Sequence, residues 1–352
     1  MIQALGKNIN PRVSGTADIR GAVILELLIA TLVALFVIAG VLVSYSGAKV
    51  SYATSNNIGS IQDIGRFALH VTSEEARLAG FWGINSLPSA IQQTNTSTKG
   101  YGCGAGGWVT DITQPILVLE SPTAAQLPNC VPEENFVSGT DLLMVRNAAS
   151  PLQSTSEIKK SSVYLHAGVY QGKLFEAEQD GEVPSSADFT EFPSTVVYPF
   201  NFSLYYLQPC ADPGEDAKCD DQDDEGDPVP TLVRVRLEGD QMEKETIARH
   251  IENFQILVGS ESGTGGVVSY QRASSTTDWD DVRSLEVNFL VQAPGLEADY
   301  QEDEDGSADP FSDGDRGSYT FAGQSFTFTD QRRRQVYTST IYLRNDPSDN
   351  AL

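Results

Sequence analysis

Arg20-Gly21-Ala22-Val23-Ile24-Leu25-Glu26-Leu27-Leu28-Ile29-Ala30, continuing as TLVALFVIAGVLV to Val43, is the stretch on which the reading of this chain turns. Residues 22–43 carry one charge, Glu26, and no proline. At about 1.5 Å per residue, such a run crosses a hydrocarbon core of about 30 Å as an α-helix. Lys7, Arg12 and Arg20 precede it, opposed by Asp18 alone. That asymmetry predicts residues 1–21 on the cytoplasmic side and the rest across the membrane. A secretory signal peptide has a shorter apolar stretch ending at a small-residue cleavage site, and none follows this run. A plain anchor accounts for the hydrophobicity but not for Glu26.

A carboxylate inside a membrane helix costs about 2.5–3.5 kcal/mol at mid-helix and less near an end, so it calls for a cationic partner in the same phase. Cutting between Gly21 and Ala22 creates one, the new α-amino group of Ala22. Within one subunit that amine lies about a turn from Glu26. In a bundle of such helices, Glu26 of one subunit meets the amine of its neighbour and sets the axial register. Residues 20–27 resemble the class III signal of type IV prepilins and type II secretion pseudopilins, although Ala22 stands where that family usually has Phe. The resemblance implies cleavage after Gly21 by a membrane aspartyl prepilin peptidase, methylation of the Ala22 amine, and an assembly role for Glu26.

Beyond the apolar run, Ile58, Ile61, Ile64, Ala68, Val71 and Leu78 recur at spacings of three and four. This predicts an amphipathic helix with one face on a globular head, stopping near Gly80. The Asn56-Asn57 pair, Gly59 and Gly65 weaken the helix locally and predict a bend or a partly melted stretch there. The remainder reads as mainly β, with strands expected at 115–120, 141–146, 162–170, 196–207, 231–238, 284–292, 319–329 and 335–344. Segment 244–258 begins helix-like and ends as a strand. Stretches 83–107, 147–157, 209–230 and 293–318 are rich in turn residues. The fold expected is therefore α+β: a long amino-terminal helix packed on a mainly antiparallel, pilin-like β head. Its divisions are a cleaved leader 1–21, a membrane or filament-core helix 22–43, an amphipathic stem 44–80, a head 81–345 and a tail 346–352.

Five islands sharpen the resemblance: residues 62–69 (QDIGRFAL), 79–83 (AGFWG), 138–146 (SGTDLLMVR), 279–285 (WDDVRSL) and 332–345, which closes on Leu343-Arg344-Asn345. Together they are similar to PilW-type minor pilins. This implies initiation or capping of pilus assembly, with other minor pilins, the major pilin and a tip adhesin as partners. The implied location is the inner membrane with the head in the periplasm, then the pilus at the cell surface. A J-type pseudopilin of type II secretion shares the stem, and a membrane-tethered periplasmic enzyme or sensor is the alternative from another class.

The 48 Asp and Glu residues outnumber 23 Lys and Arg, for a formal charge of −25. Such a surface does not neutralise phosphates, which excludes nucleic acid as a partner and argues against docking on anionic headgroups. The cysteines, Cys103, Cys130, Cys210 and Cys219, contain no CxxC pair, and His70, His166 and His250 are scattered. No zinc site is expected. Sequence order favours disulfides Cys103–Cys130 and Cys210–Cys219, each closing a local loop in an oxidising compartment. Acidic clusters at 220–227 and 302–315 raise the question of calcium. Asp221, Asp223, Glu225 and Gly226 copy the start of an EF-hand loop, but its twelfth position is Leu232. No nucleophile elbow, phosphate loop or metalloprotease motif is present, so neither catalysis nor a cofactor is expected.

Overall fold

The computed structural model describes residues 19–93, 95–183, 195–262, 267–274, 277–296, 318–328, 330 and 332–345. The leader up to residue 18, the acidic cluster 302–315 and the tail 346–352 lie outside the described residues. The chain falls into two compact units, Met1–Ser55 and Asn56–Leu352.

In the first unit every described residue is helical, part of helix α1, Ile19–Arg77. The second unit takes up α1 from Asn56. No melted stretch is found: α1 stays helical through Asn56-Asn57, Gly59 and Gly65. Tertiary contacts outweigh the weak local propensity. Asn57 Nδ2 donates to the Gly295 carbonyl at 3.1 Å. Gly65 is required rather than tolerated, since a Cβ there would lie 2.4 Å from the Tyr337 ring. The helix ends where Gly80 takes φ +74°, a left-handed stop that glycine adopts without strain.

Among the described residues, fourteen strands follow: β1 Ile91–Gln93, β2 Ile116–Leu119, β3 Leu142–Ala148, β4 Val163–Ala167, β5 Gly172–Glu176, β6 Val196–Gln208, β7 Thr231–Glu238, β8 Gln241–Arg249, β9 Ile251–Ser262, β10 Val267–Arg272, β11 Val282–Gln292, β12 Ser318–Phe321, β13 Gln324–Thr327 and β14 Arg334–Tyr342. Eight form one sheet in the order β1-β5-β4-β6-β3-β2, with β7 on β6 and β8 on β7. Four form a second, β10-β9-β11-β14, and β12 and β13 pair as a hairpin. All pairings are antiparallel except β1 with β5. The α+β expectation holds, with one long apolar amino-terminal helix and a mostly antiparallel β domain.

The large sheet is buried on both faces, which is why its middle strands read as continuous apolar runs. Leu143 and Val145 of β3, with Tyr205 and Leu207 of β6, join Ile61, Ala68 and Ala76 of α1, Ala79 just beyond it, and Phe254, Val287, Phe289 and Ile341 of the second sheet. Leu142, Met144, Phe202, Leu204 and Tyr206 point the other way. There they meet Tyr101, Val109, Ile112, Val131 and Phe136, a layer that has little regular structure. Small residues on the buried side of α1 let the sheets approach closely, and Thr72 satisfies its hydroxyl on the Ala68 carbonyl at 2.8 Å.

Several sequence expectations are corrected. Segment 244–258 has no helix: its first part is β8 and its second β9. Residues 319–329 do not form one strand but the β12–β13 hairpin, turning at Ala322 and Gly323 with φ +49° and +72°. The strand expected at 162–170 stops at Ala167, because Gly168 N–H closes a turn on the Gln171 carbonyl at 2.8 Å and the chain returns as β5. β1, β5 and β10 were not foreseen; β1 falls in a stretch read as turns.

Candidate functional site

Two features of this chain bear on function, the uncovered helix and the junction that builds the head. In the first unit the apolar side chains of α1 from Val23 to Val43 are exposed, Val23 at 54% and Phe36 at 72%. Mean hydropathy reaches 2.8 over the best eighteen-residue window, and the helix is long and apolar enough to cross a membrane. Two of its hydroxyls are satisfied within the helix: Thr31 donates to the Leu28 carbonyl and Ser46 to that of Val43, both at 2.9 Å. Gly21 and Ala22 lie within α1. Glu26 follows Ala22 by four positions, on the same side of the helix, and is exposed. The Gly21–Ala22 bond is therefore helical.

The head is tied together by buried charges that sequence reasoning missed. Arg146, within β3, is fully buried. Its guanidinium donates to the carbonyls of Val109 at 3.0 Å, Gln114 at 2.6 Å and Trp108 at 2.7 Å. It lies 5.5 Å from the Trp108 ring centre and 5.4 Å from that of Phe202. Burial lowers its pKa to about 10. Arg234 of β7 joins Glu75 of α1 to Glu245 of β8, fastening helix to sheet. Arg334 at the start of β14 binds Glu252 and Asp330, with its guanidinium 4.0 Å from the Phe328 ring centre. That pairing holds the Asp330 carboxyl below its usual range.

Asp141, just before β3, bridges the two sheets. Its carboxylate accepts from Ser121 N–H at 3.0 Å and Ile256 N–H at 2.7 Å, with Arg272 Nη2 3.5 Å away. Burial is the largest influence and raises its pKa to about 6, against 3.8 for an ordinary Asp. A raised folded-state pKa means the folded protein binds more protons between these values. The contribution from this group is thus full below about pH 4 and lost as pH rises through 6. Wild-type stability minus that of Asp141→Asn is expected to fall by about 1–3 kcal/mol from pH 4 to 7, measured by urea unfolding of the full chain in detergent micelles. A difference that is flat or rises over that range contradicts this reading.

Disulfides join Cys103 to Cys130 and Cys210 to Cys219. Among the described residues, Cys210, Cys219 and Asp223 are close enough to share a metal, but both sulfurs are already bonded to each other. In the acidic cluster 220–227, Asp224 is committed to the loop's own backbone. It accepts from Ala211 N–H at 2.7 Å, Asp212 N–H at 3.2 Å and Val229 N–H at 2.9 Å.

The five sequence islands, spread over more than 280 positions of the chain, converge on one junction. Gly65 lies under Tyr337, and Gly80 lies against Asn345, whose Nδ2 donates to the Ala79 carbonyl at 3.3 Å. Gly80 N–H donates to the Arg146 carbonyl at 3.0 Å, Ala148 N–H to Phe81 at 2.6 Å, and Leu343 N–H to Arg283 at 3.0 Å. Residues 219–345, which include β7 to β14, match the family model PilW, type IV pilus-assembly protein W. The family resemblance is to PilW. The PilW match spans a little over a third of the chain and takes in two of the islands whole, those at 279–285 and 332–345. No curated protein and no solved structure matches the chain.

Proposed function

We propose that this chain is a minor pilin that takes part in starting or capping a type IV pilus. The observation that carries the reading is an uncovered apolar helix, with one carboxylate at its fifth residue after Gly21, in a chain whose carboxyl-terminal third matches PilW. Burying one large apolar side chain is worth about 1.5–3 kcal/mol, and residues 23–43 present many of them to the surroundings. Lipid satisfies them first. Afterwards a bundle of like helices does so, and the protein passes from one to the other without leaving an apolar phase.

In this reading the leader 1–21 stays in the cytoplasm and the head folds in the periplasm. Prepilin peptidase cuts after Gly21, and the Ala22 amine is methylated. Glu26 is too costly to leave unpaired in lipid, and it is neutralised by the Ala22 amine of an adjoining subunit. Only the correct axial offset brings the two together, so the pair selects register. The action is assembly and not catalysis, and the partners are other minor pilins, the major pilin and, at the tip, an adhesin. The test is mass spectrometry of the protein taken from piliated cells. The expected mature chain begins with N-methylated Ala22. A chain that keeps residues 1–21 in cells making functional fibres overturns the proposal.

A further inference from the structure

The acidic total of −25 hides an uneven distribution. Between Glu26 and Asp63 there is no Asp or Glu, and the one charge is Lys49. Lys49 sits between Tyr45 and Tyr52, at spacings of four and three, so the three share one face of α1. All three are exposed, Tyr45 at 68% and Tyr52 at 75%.

Their distance along the helix matters as much as their chemistry. From Ala22 to Ser44 the rise is about 33 Å, the thickness of a hydrocarbon core, so Tyr45 emerges at the interface. Tyrosine favours that boundary because its ring is apolar and its hydroxyl is wet. Lys49 begins about 9 Å beyond Val43. Helical side chains slant toward the amino terminus, which on this side of the membrane is back toward the lipid. The lysine stem therefore reaches down to the phosphate level, where its ammonium meets anionic headgroups.

We infer that Tyr45, Lys49 and Tyr52 form a headgroup-binding stripe that holds the waiting subunit at a fixed depth on anionic phospholipid of the outer leaflet of the inner membrane. The inference rests on reading residues 22–43 as a membrane span. The net charge of the chain argues against anionic lipid, but this stretch of the stem carries a local charge of +1 and no carboxylate to repel phosphate.

All four native cysteines are in disulfides, so an added thiol labels selectively. In full-length protein reconstituted into vesicles of mixed phosphatidylglycerol and phosphatidylcholine, an environment-sensitive dye is placed on Ser46→Cys or, as a depth control, on Ala34→Cys. Quenching by nitroxide lipids labelled near the headgroup is compared with quenching by those labelled deep in the chain. The dye at 46 is expected to be quenched best by shallow nitroxides, and the dye at 34 by deep ones. At 46, nitroxide phosphatidylglycerol is expected to quench about threefold better than nitroxide phosphatidylcholine, and Lys49→Gln to remove the difference. Equal quenching by the two lipids in the wild type, or a preference that survives Lys49→Gln, overturns the stripe while leaving the span intact. Absence of lipid quenching at both positions overturns the span itself.

Discussion

Glu26→Gln is expected to leave the protein in the inner membrane at wild-type abundance and to cut its entry into filaments more than a hundredfold. The substitution keeps the shape of the side chain and removes its charge, which makes insertion easier. In the proposed assembly it leaves the Ala22 amine of the adjoining subunit in an apolar bundle with no anion. Breaking one side of a buried ion pair costs about 3–5 kcal/mol. Each 1.4 kcal/mol is a factor of about ten in an equilibrium. Glu26→Asp keeps the charge but shortens its reach, and an intermediate effect is expected. The measurement is an immunoblot of membrane and sheared-filament fractions from cells expressing each variant. Wild-type incorporation of the glutamine form would mean that the charge of Glu26 does not select register.

Arg146→Met is expected to be the most damaging single change in the head. Methionine fills much of the same space but donates nothing, so the carbonyls of Trp108, Val109 and Gln114 lose their donors together. An unsatisfied buried carbonyl costs about 1–3 kcal/mol. Part of this is offset because a buried guanidinium is itself costly, as its lowered pKa shows. A net loss of about 2–4 kcal/mol follows, a large share of the stability of a typical domain. Arg146→Lys is expected to recover less than half of it, since an ammonium lacks the planar fan that reaches three acceptors at once. Urea unfolding of the full chain in micelles measures both variants. Faster proteolysis between residues 101 and 136 is expected alongside, because these carbonyls anchor that layer. A change below about 0.5 kcal/mol in Arg146→Met would show that the layer holds without the guanidinium.

The stem was the most legible part of the sequence, because a mostly apolar run from residue 22 to 43 with a single charge has few physical interpretations. β7 was equally clear: Val233 and Val235 alternate with Arg234 and Arg236, and the strand runs Thr231–Glu238 as expected. β8 was misread for a physical reason. It pairs on one side only, and its residues from Glu243 to Thr246 are exposed, so no apolar stripe marks its period. β1 is three residues long and borrows its stability from β5. The buried charges were invisible for another reason. An arginine ending an apolar strand reads as the point where the chain returns to water. Only the tertiary fold shows that a layer with little regular structure lies over Arg146 and supplies it with carbonyls. The islands could be recognised one by one, but nothing in the linear order said that they meet.

That meeting has a consequence for timing. β14 is the last strand among the described residues, yet it supplies Ile341 to the core that α1 and the first strands of the head also share, and its Tyr337 covers Gly65. In the proposed topology the stem enters the membrane first during synthesis, and the side of α1 that packs on the head stays open until β14 has been exported. On that reading, completion of the head reports that the chain has been delivered as far as β14, and a molecule stalled or truncated before it stays recognisably unfinished.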